Sequence, residues 1–245
     1  MENEWDIIAE EYSSIIGSQG DVWRQIDIDP AIMVALNDLP KGKILDLGCG
    51  EGYLERKLIP MGWRVTGIDF SQEMLNQASS KNSPGEFILG DITKFQSGLN
   101  DFDVVIANMS LMDVQDLQGF YQHTYKYLKF KGLLIVTVIH PAFRKPVGRW
   151  AKTILGKVLR HDPFVRVDDY TTSGPRKNLI TYSTHLTTVW HKQISDYIQK
   201  AINQGFRLVN IQELSPRLSD LLKHNQPKFL AKFPHTLFMV FTKDE

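Results

Sequence analysis

Between Lys43 and Ile139 short apolar runs alternate with longer amphipathic segments, a rhythm that few folds accept. KILDL is followed by GYLERKLI and WRVTGID by SQEMLNQA; then come EFILGD, FDVVIAN with DLQGFYQHTYKYL, and GLLIVTVI. The Val, Ile and Leu runs carry few alternating polar residues, so each predicts a strand covered on both faces. Such strands, separated by amphipathic helices, predict an α/β domain with a doubly wound, mostly parallel sheet between helix layers. At 245 residues the chain lies near the upper limit of one hydrophobic core, which fits a large domain carrying an insertion.

The insertion shows after Ile139, where the rhythm breaks. Pro141, Pro146, Pro163, Gly174 and Pro175 interrupt the chain, and two strand-like pieces, PFVRVDDYTT and NLITYSTHLTTVW, are predicted to pair as a hairpin across Ser173-Gly174-Pro175. Within it RWAKTILGKVLR, Arg149 to Arg160, sorts as a basic amphipathic helix: Trp150, Ala151, Ile154, Leu155, Val158 and Leu159 take one side, and Arg149, Lys152, Lys157 and Arg160 the other. A lid helix is the first reading, with weak contact to an anionic carrier or a membrane surface as alternatives. The core resumes with a helix expected to open at His191, with Gly205 just past its end, and with the strands FRLVNIQEL and HTLFMVFTK. The expected division is 1–42 as an N-terminal helical cap, 43–139 as the core, 140–190 as lid and substrate insertion, and 191–245 as completion of the sheet.

Charge narrows the partners. Lys plus Arg equals Asp plus Glu at 28 each, so the basic excess of a generic nucleic-acid binder is missing, and no nucleic-acid partner is expected. No apolar run approaches the roughly 20 residues of a membrane helix, and the acidic opening MENEWDIIAEEY does not read as a secretion signal, so a cytoplasmic location is expected. The single Cys49 offers neither an intramolecular disulfide nor a second thiol for zinc, and no metal is expected.

The stretch ILDLGCGEGYLERKL joins the first strand to its helix with Asp46, Gly48, Gly50 and Gly52 in a D-x-G-x-G-x-G arrangement. Glycines there allow positive φ and remove the Cβ that would hold a ligand off the chain at those positions, and the following helix presents free N–H groups. The dinucleotide fingerprint G-x-G-x-x-G fails, because Tyr53 stands where its third glycine or alanine belongs. The tighter spacing, with an acid ahead of the first glycine, resembles motif I of the class I S-adenosylmethionine-dependent methyltransferases of the small-molecule type. The resemblance implies a Rossmann-like, seven-stranded sheet with a lid insertion after the fifth strand, S-adenosyl-L-methionine as cofactor and S-adenosyl-L-homocysteine as product.

It also implies site residues. Asp46 would orient the methionyl amine, with Gly48, Cys49 and Gly50 passing under the methionine and ribose. Asp69, beside Phe70 at the end of the second strand, would accept the ribose hydroxyls. Asp91 and Ile92 would meet the adenine, and Asn108, Met109 and Ser110 would line the methionine. Trp5-Asp6-x-x-Ala9-x-x-Tyr12 is similar to a segment folded over the cofactor, with Tyr12 near its carboxylate or sulfonium. His140-Pro141-Ala142-Phe143 resembles a His-Pro-x-Phe at the same edge, and Trp190-His191-Lys192 stands where relatives often carry Tyr-His-Arg.

A hydroxyl or ammonium acceptor must lose a proton, so His140 or His191 is expected as base or substrate anchor. Tyr170, Tyr182, His185 and Trp190 are expected to line the acceptor pocket. The fourth strand lacks the Asn/Asp-Pro-Pro-aromatic motif that base methylation shows in the family. The expectation is methyl transfer to an oxygen or nitrogen of a small, aromatic or apolar metabolite. A non-catalytic S-adenosylmethionine-binding regulator and a nucleotide-dependent oxidoreductase remain the alternatives.

Overall fold

The strand β1 (Lys43–Leu47) shows why the apolar runs become the centre of the molecule. Leu45 and Leu47 point into one buried cluster with Val105 and Ala107, while Ile44 points into a second with Val104 and Ile106. Side chains alternate across a strand, so a run that is apolar at every position must be covered on both sides. In this computed structural model, which describes residues 3–94, 98–152, 163–180 and 183–244, it is.

Around β1 lie β2 (Arg64–Asp69), β3 (Glu86–Leu89), β4 (Phe102–Asn108) and β5 (Leu128–Ile139), all parallel to one another. β10 (Phe206–Leu214) and β11 (Thr236–Lys243) complete a sheet ordered β10-β11-β5-β4-β1-β2-β3, with β11 antiparallel to both β5 and β10. Every strand of this sheet falls on a predicted apolar run. The strand order reverses beside β1, so the carboxyl ends of β1 and β4 open a crevice there.

Three further findings concern the flanking segments. Helix α1 (Glu4–Ile16) lies against α4 (Gln72–Ser80), and its Asp6 carboxylate accepts the Ser71 hydroxyl at 2.6 Å and the Glu73 N–H at 3.2 Å. Other carboxylates of α1 hold the hairpin β8 (Gly174–Leu179) to β9 (Leu186–His191): Glu4 takes the Thr188 hydroxyl and N–H, and Glu11 takes Ser183 Oγ and Thr184 N at 2.9 Å. Asp29 in α2 (Asp29–Leu36) accepts the Tyr53 hydroxyl at 2.6 Å, fixing the N-terminal segment to α3 (Tyr53–Leu58).

The insertion corrects the predicted pairing. β7 (Phe164–Val167) pairs with β6 (Gly148–Ala151), and the second Thr/Tyr-rich piece folds on itself as β8–β9. The predicted turn residues Gly174 and Pro175 begin β8, because the chain from there to His191 is long enough to make its own hairpin. Arg149, Trp150 and Ala151 are therefore strand, not helix; the rest of the predicted amphipathic helix, 153–160, lies outside the described residues. His191 ends β9, and the helix Ile194–Asn203 starts only at Ile194, its first turn closed by the Gln193–Asp196 capping box. Among the described residues no helix is long and apolar enough to cross a membrane.

The Asp6 bonds are the testable joint of this frame. Asp6→Ala is expected to cost about 0.5–2 kcal/mol, the usual loss for a side-chain acceptor at a helix start, read as a lower urea midpoint at unchanged slope.

Candidate cofactor and acceptor site

The loop after β1 is shaped by two N–H groups on one acceptor: Gly48 and Cys49 both donate to the Ile68 carbonyl of β2, at 2.8 and 3.1 Å. Gly48 has φ +82°, and a Cβ there would stand 2.5 Å from Ser110 Cβ. A Cβ on Gly50, at φ +55°, would touch nothing within 4 Å, because that backbone faces a cavity of about 440 Å³. Its N–H donates to Asp69 Oδ2 at 2.8 Å, while Asp69 Oδ1 accepts the Ser71 N–H at 2.9 Å. Each of these carboxylate oxygens keeps a lone pair for a further donor.

Asp46 is 2% exposed on the same cavity, and its Oδ1 is buried without a partner. Burial first, and the neighbouring Asp69 second, push its carboxyl up to about 8. Burial also raises Asp69 and lifts Glu55, in contact range of the loop, well above the carboxylate range. The Cys49 thiol is raised in the same way, which leaves it protonated.

Asp91, Ile92, Asn108, Met109 and Ser110 line this cavity, with the half-exposed Phe70 ring at its edge. Asp91 accepts the Thr93 N–H at 2.9 Å and hydroxyl at 2.7 Å. Asn108 Oδ1 accepts the Thr137 hydroxyl at 2.6 Å, Met109 N donates to the Thr137 carbonyl at 2.9 Å, and the Ser110 hydroxyl donates to the Leu47 carbonyl at 2.8 Å. Tyr12 closes the cavity from α1, its hydroxyl accepting Arg24 Nη2 at 2.8 Å and its ring edge-on to Trp5 at 5.2 Å.

A second cavity of about 600 Å³ adjoins the first, sharing Trp5, Tyr12, Ile16, Arg24, Met109 and Asp113 with it. Its other walls come from the segment after β5, from β8 and β9, and from the chain before β11. Asp113 stands at the junction, and burial pushes its carboxyl up to about 8 despite the Lys192 charge. Lys192 itself is buried and donates to the carbonyls of Leu111, Val114 and Trp190, so it ties the loop after β4 to the end of β9.

The predicted histidines sit elsewhere. His140 is 1% exposed, with Nε2 2.8 Å from Glu213 and Nδ1 accepting the Ala142 and Phe143 N–H groups at 3.2 and 3.3 Å. His191 Nε2 lies 2.8 Å from the Tyr170 carbonyl. Neither lines either cavity, and among the described residues the chamber histidine is His235, stacked on Trp23 at 4.0 Å. Tyr170 accepts the Ile194 N–H, His185 pairs with Glu11 at 2.9 Å, and Trp190 N donates to the Met112 carbonyl; none of the three lines either of these two cavities. Tyr182 lies outside the described residues. The sequence reading missed Asp113, Arg24, Arg144 and His235, of which only Asp113 and Arg144, each a few residues past a strand end, carried a positional signal.

The partnerless Asp46 oxygen, the spare lone pairs of Asp69 and the bare Gly50 backbone fit a ligand with an ammonium, a diol and a flat base, the chemistry of S-adenosylmethionine. This seven-stranded sheet, with the glycine loop at its switch point, is that of the S-adenosylmethionine-dependent methyltransferases. Residues 39–163, just over half the chain, match the family described as a methyltransferase domain, and the chain belongs to that family. It is similar to a trans-aconitate 2-methyltransferase of Enterobacter sp. strain 638, 36% identical over 86% of this chain and 82% of that one. It is also similar to a malonyl-[acyl-carrier protein] O-methyltransferase of Enterobacter lignolyticus, 29% identical over 44% of this chain and 43% of that protein. In such partial matches the chain spans 40–44% of the curated relatives' length. Among solved structures, an S-adenosylmethionine-dependent methyltransferase from Mesorhizobium loti superposes with a TM-score of 0.73, 22% identical over 92% of this chain and all of that one.

An acid kept protonated in the folded chain but ionised in the unfolded one lowers stability as pH rises from the ordinary carboxylate range to its folded pKa. For Asp46 that window ends near 8. Asp46→Asn is therefore expected to flatten the decline in melting temperature between about pH 5 and about pH 8. Gly50→Ala is expected to stay folded and to lose cofactor affinity by about tenfold or more, the methyl group occupying the cavity floor; calorimetry checks it.

Proposed function

We propose that the protein transfers the methyl group of S-adenosylmethionine to an oxygen or nitrogen of a small acceptor held in the second cavity. The observation that carries this reading is the junction: one cavity with the cofactor-fitting carboxylates opens onto another walled largely by apolar side chains, across Met109, Tyr12 and Asp113. When bound, S-adenosylmethionine supplies a methyl carbon activated on a sulfonium. Asp46 would take the ammonium, Asp69 the ribose diol, Asp91 and Ile92 the base, and the Gly48-Cys49-Gly50 backbone would let the ligand lie close. The Tyr12 ring faces the junction, where an aromatic face favours a cation by about 0.5–2 kcal/mol.

What remains for the chain is alignment and a proton. His140 and His191 are engaged away from both cavities, so the proton from a hydroxyl or ammonium acceptor falls to Asp113, the titratable side chain at the junction whose pKa stands near 8. A group of that pKa is matched to base catalysis slightly above neutrality. The strands β8 and β9, held to α1 through Glu4 and Glu11, wall the acceptor cavity and would keep water from it. The two enzyme relatives, one named for trans-aconitate and one for a malonyl carrier protein, support a small or carrier-borne acceptor.

Calorimetric titration with S-adenosylmethionine and S-adenosylhomocysteine is expected to show saturable binding that Asp69→Ala weakens by about 1–3 kcal/mol. Folded protein that binds neither compound would overturn the proposal. With an acceptor in hand, activity is expected to rise with pH through about 8, where Asp113 ionises, and Asp113→Asn is expected to lose that rise while keeping cofactor affinity.

A further inference from the structure

The second cavity holds a positive charge that, among the described residues, no carboxylate pairs. Arg144 lies in the turn after β5, its N–H on the His140 carbonyl at 3.2 Å, and its guanidinium carbon is 5.4 Å from the centre of the Trp23 ring. The side chain is half-buried, and among the described residues it pairs with no carboxylate. Burial alone pushes its pKa down to about 10, with no acid pulling the other way. The two acids lining the cavity are otherwise occupied: Asp21 pairs with Arg24, and Asp113 is lifted by burial into its neutral form at pH 7. Lys145, beside Arg144, is exposed, and the remaining walls include Trp150, Leu179, Ile180 and Phe229.

A guanidinium partly withdrawn from water, with an aromatic face but no carboxylate beside it, costs the empty cavity free energy that an anion brought to it would recover. We propose that Arg144 anchors a carboxylate of the methyl acceptor, at a distance from the atom that is methylated. The distance follows from placement: Arg144 lines the acceptor cavity but not the cofactor cavity, whereas Asp113 and Met109 line both. One unpaired positive charge calls for one negative charge, and the planar guanidinium fork matches a carboxylate in two parallel hydrogen bonds. A phosphate would bring a second charge into an apolar chamber. The acceptor is thereby an amphipathic acid, with a carboxylate at the Arg144 end, an apolar or aromatic body along the walls, and the nucleophilic oxygen or nitrogen at the junction. Binding energy gained at the carboxylate would orient the far end for transfer.

This inference rests on the methyltransferase reading, and the experiment separates the two. Octanoate, trans-cinnamate and indole-3-acetate, each beside its primary amide, and phenyl phosphate are titrated into protein saturated with S-adenosylhomocysteine and into protein without it. At least one acid is expected to bind about tenfold or more tighter than its amide. Arg144→Met is expected to erase that preference and Arg144→Lys to keep part of it, both with unchanged S-adenosylhomocysteine affinity. Unliganded Arg144→Met is expected to melt at or above the wild-type temperature, a gain that a structural arginine would not give. Acids and amides that behave alike on wild type, a preference that survives Arg144→Met, or phenyl phosphate favoured over every acid would each overturn the proposal. S-adenosylhomocysteine failing to bind wild type would overturn the methyltransferase reading instead, while the acid-to-amide comparison on unloaded protein still decides the role of Arg144.

Discussion

The Ile68 carbonyl, receiving the N–H groups of both Gly48 and Cys49, is the contact on which the site depends. It pulls the chain leaving β1 sideways onto β2, and Asp69, the next residue, then reaches the Gly50 N–H. Two adjacent strand ends are thus locked together by backbone and by one carboxylate, with the glycine backbone facing outward. The ladder pairing Leu47 with Ile68 sets the register that makes this possible. A slip by one residue would turn Asp46 and Asp69 to other faces and dissolve the cavity.

Around this fixed floor, the walls are borrowed from distant parts of the chain and held by charged side chains rather than by the sheet. Helix α1 carries three carboxylates toward three different partners: Asp6 to the start of α4, Glu4 to Thr188, and Glu11 to Ser183 and Thr184. Lys192, bonded to three carbonyls, does the same for the loop after β4. The two cavities consequently share walls, among them Tyr12 and Asp113, so a ligand that ordered either side chain from one cavity would shape the other.

The sheet and its glycine loop were legible because each depends on local pattern. An apolar run such as FDVVIAN has one low-energy use in an α/β chain, and D-x-G-x-G-x-G at a strand end leaves bare backbone wherever the rest of the chain goes. The cavity positions of Asp46, Asp69, Asp91 and Tyr12 follow from those strand ends and from α1. The acceptor side was not legible, because its pairing is decided by tertiary choices. Pro175 signals a turn by composition, yet the chain from Gly174 makes its own hairpin and leaves Phe164–Val167 to pair with Gly148–Ala151. His140 and His191 stood at promising addresses, but a strand end fixes where a residue sits, not where its ring points; Glu213 and the Tyr170 carbonyl take those rings. Arg144 and Asp113 each lie a few residues past a strand end, a positional signal only; the absence or remoteness of a counter-charge, which sets them apart, is a tertiary property that no local pattern carries.

The position of β11 also bears on how the molecule is made. It lies between β5 and β10, antiparallel to both, and nearly every one of its residues is buried. During vectorial synthesis β10 leaves the ribosome before β11 exists, so it has no partner in the sheet, and the open flank of β5 waits with it. Closure of that flank is therefore a late event, and the nascent chain carries an unpaired hydrogen-bonding edge until β11 is delivered into the gap.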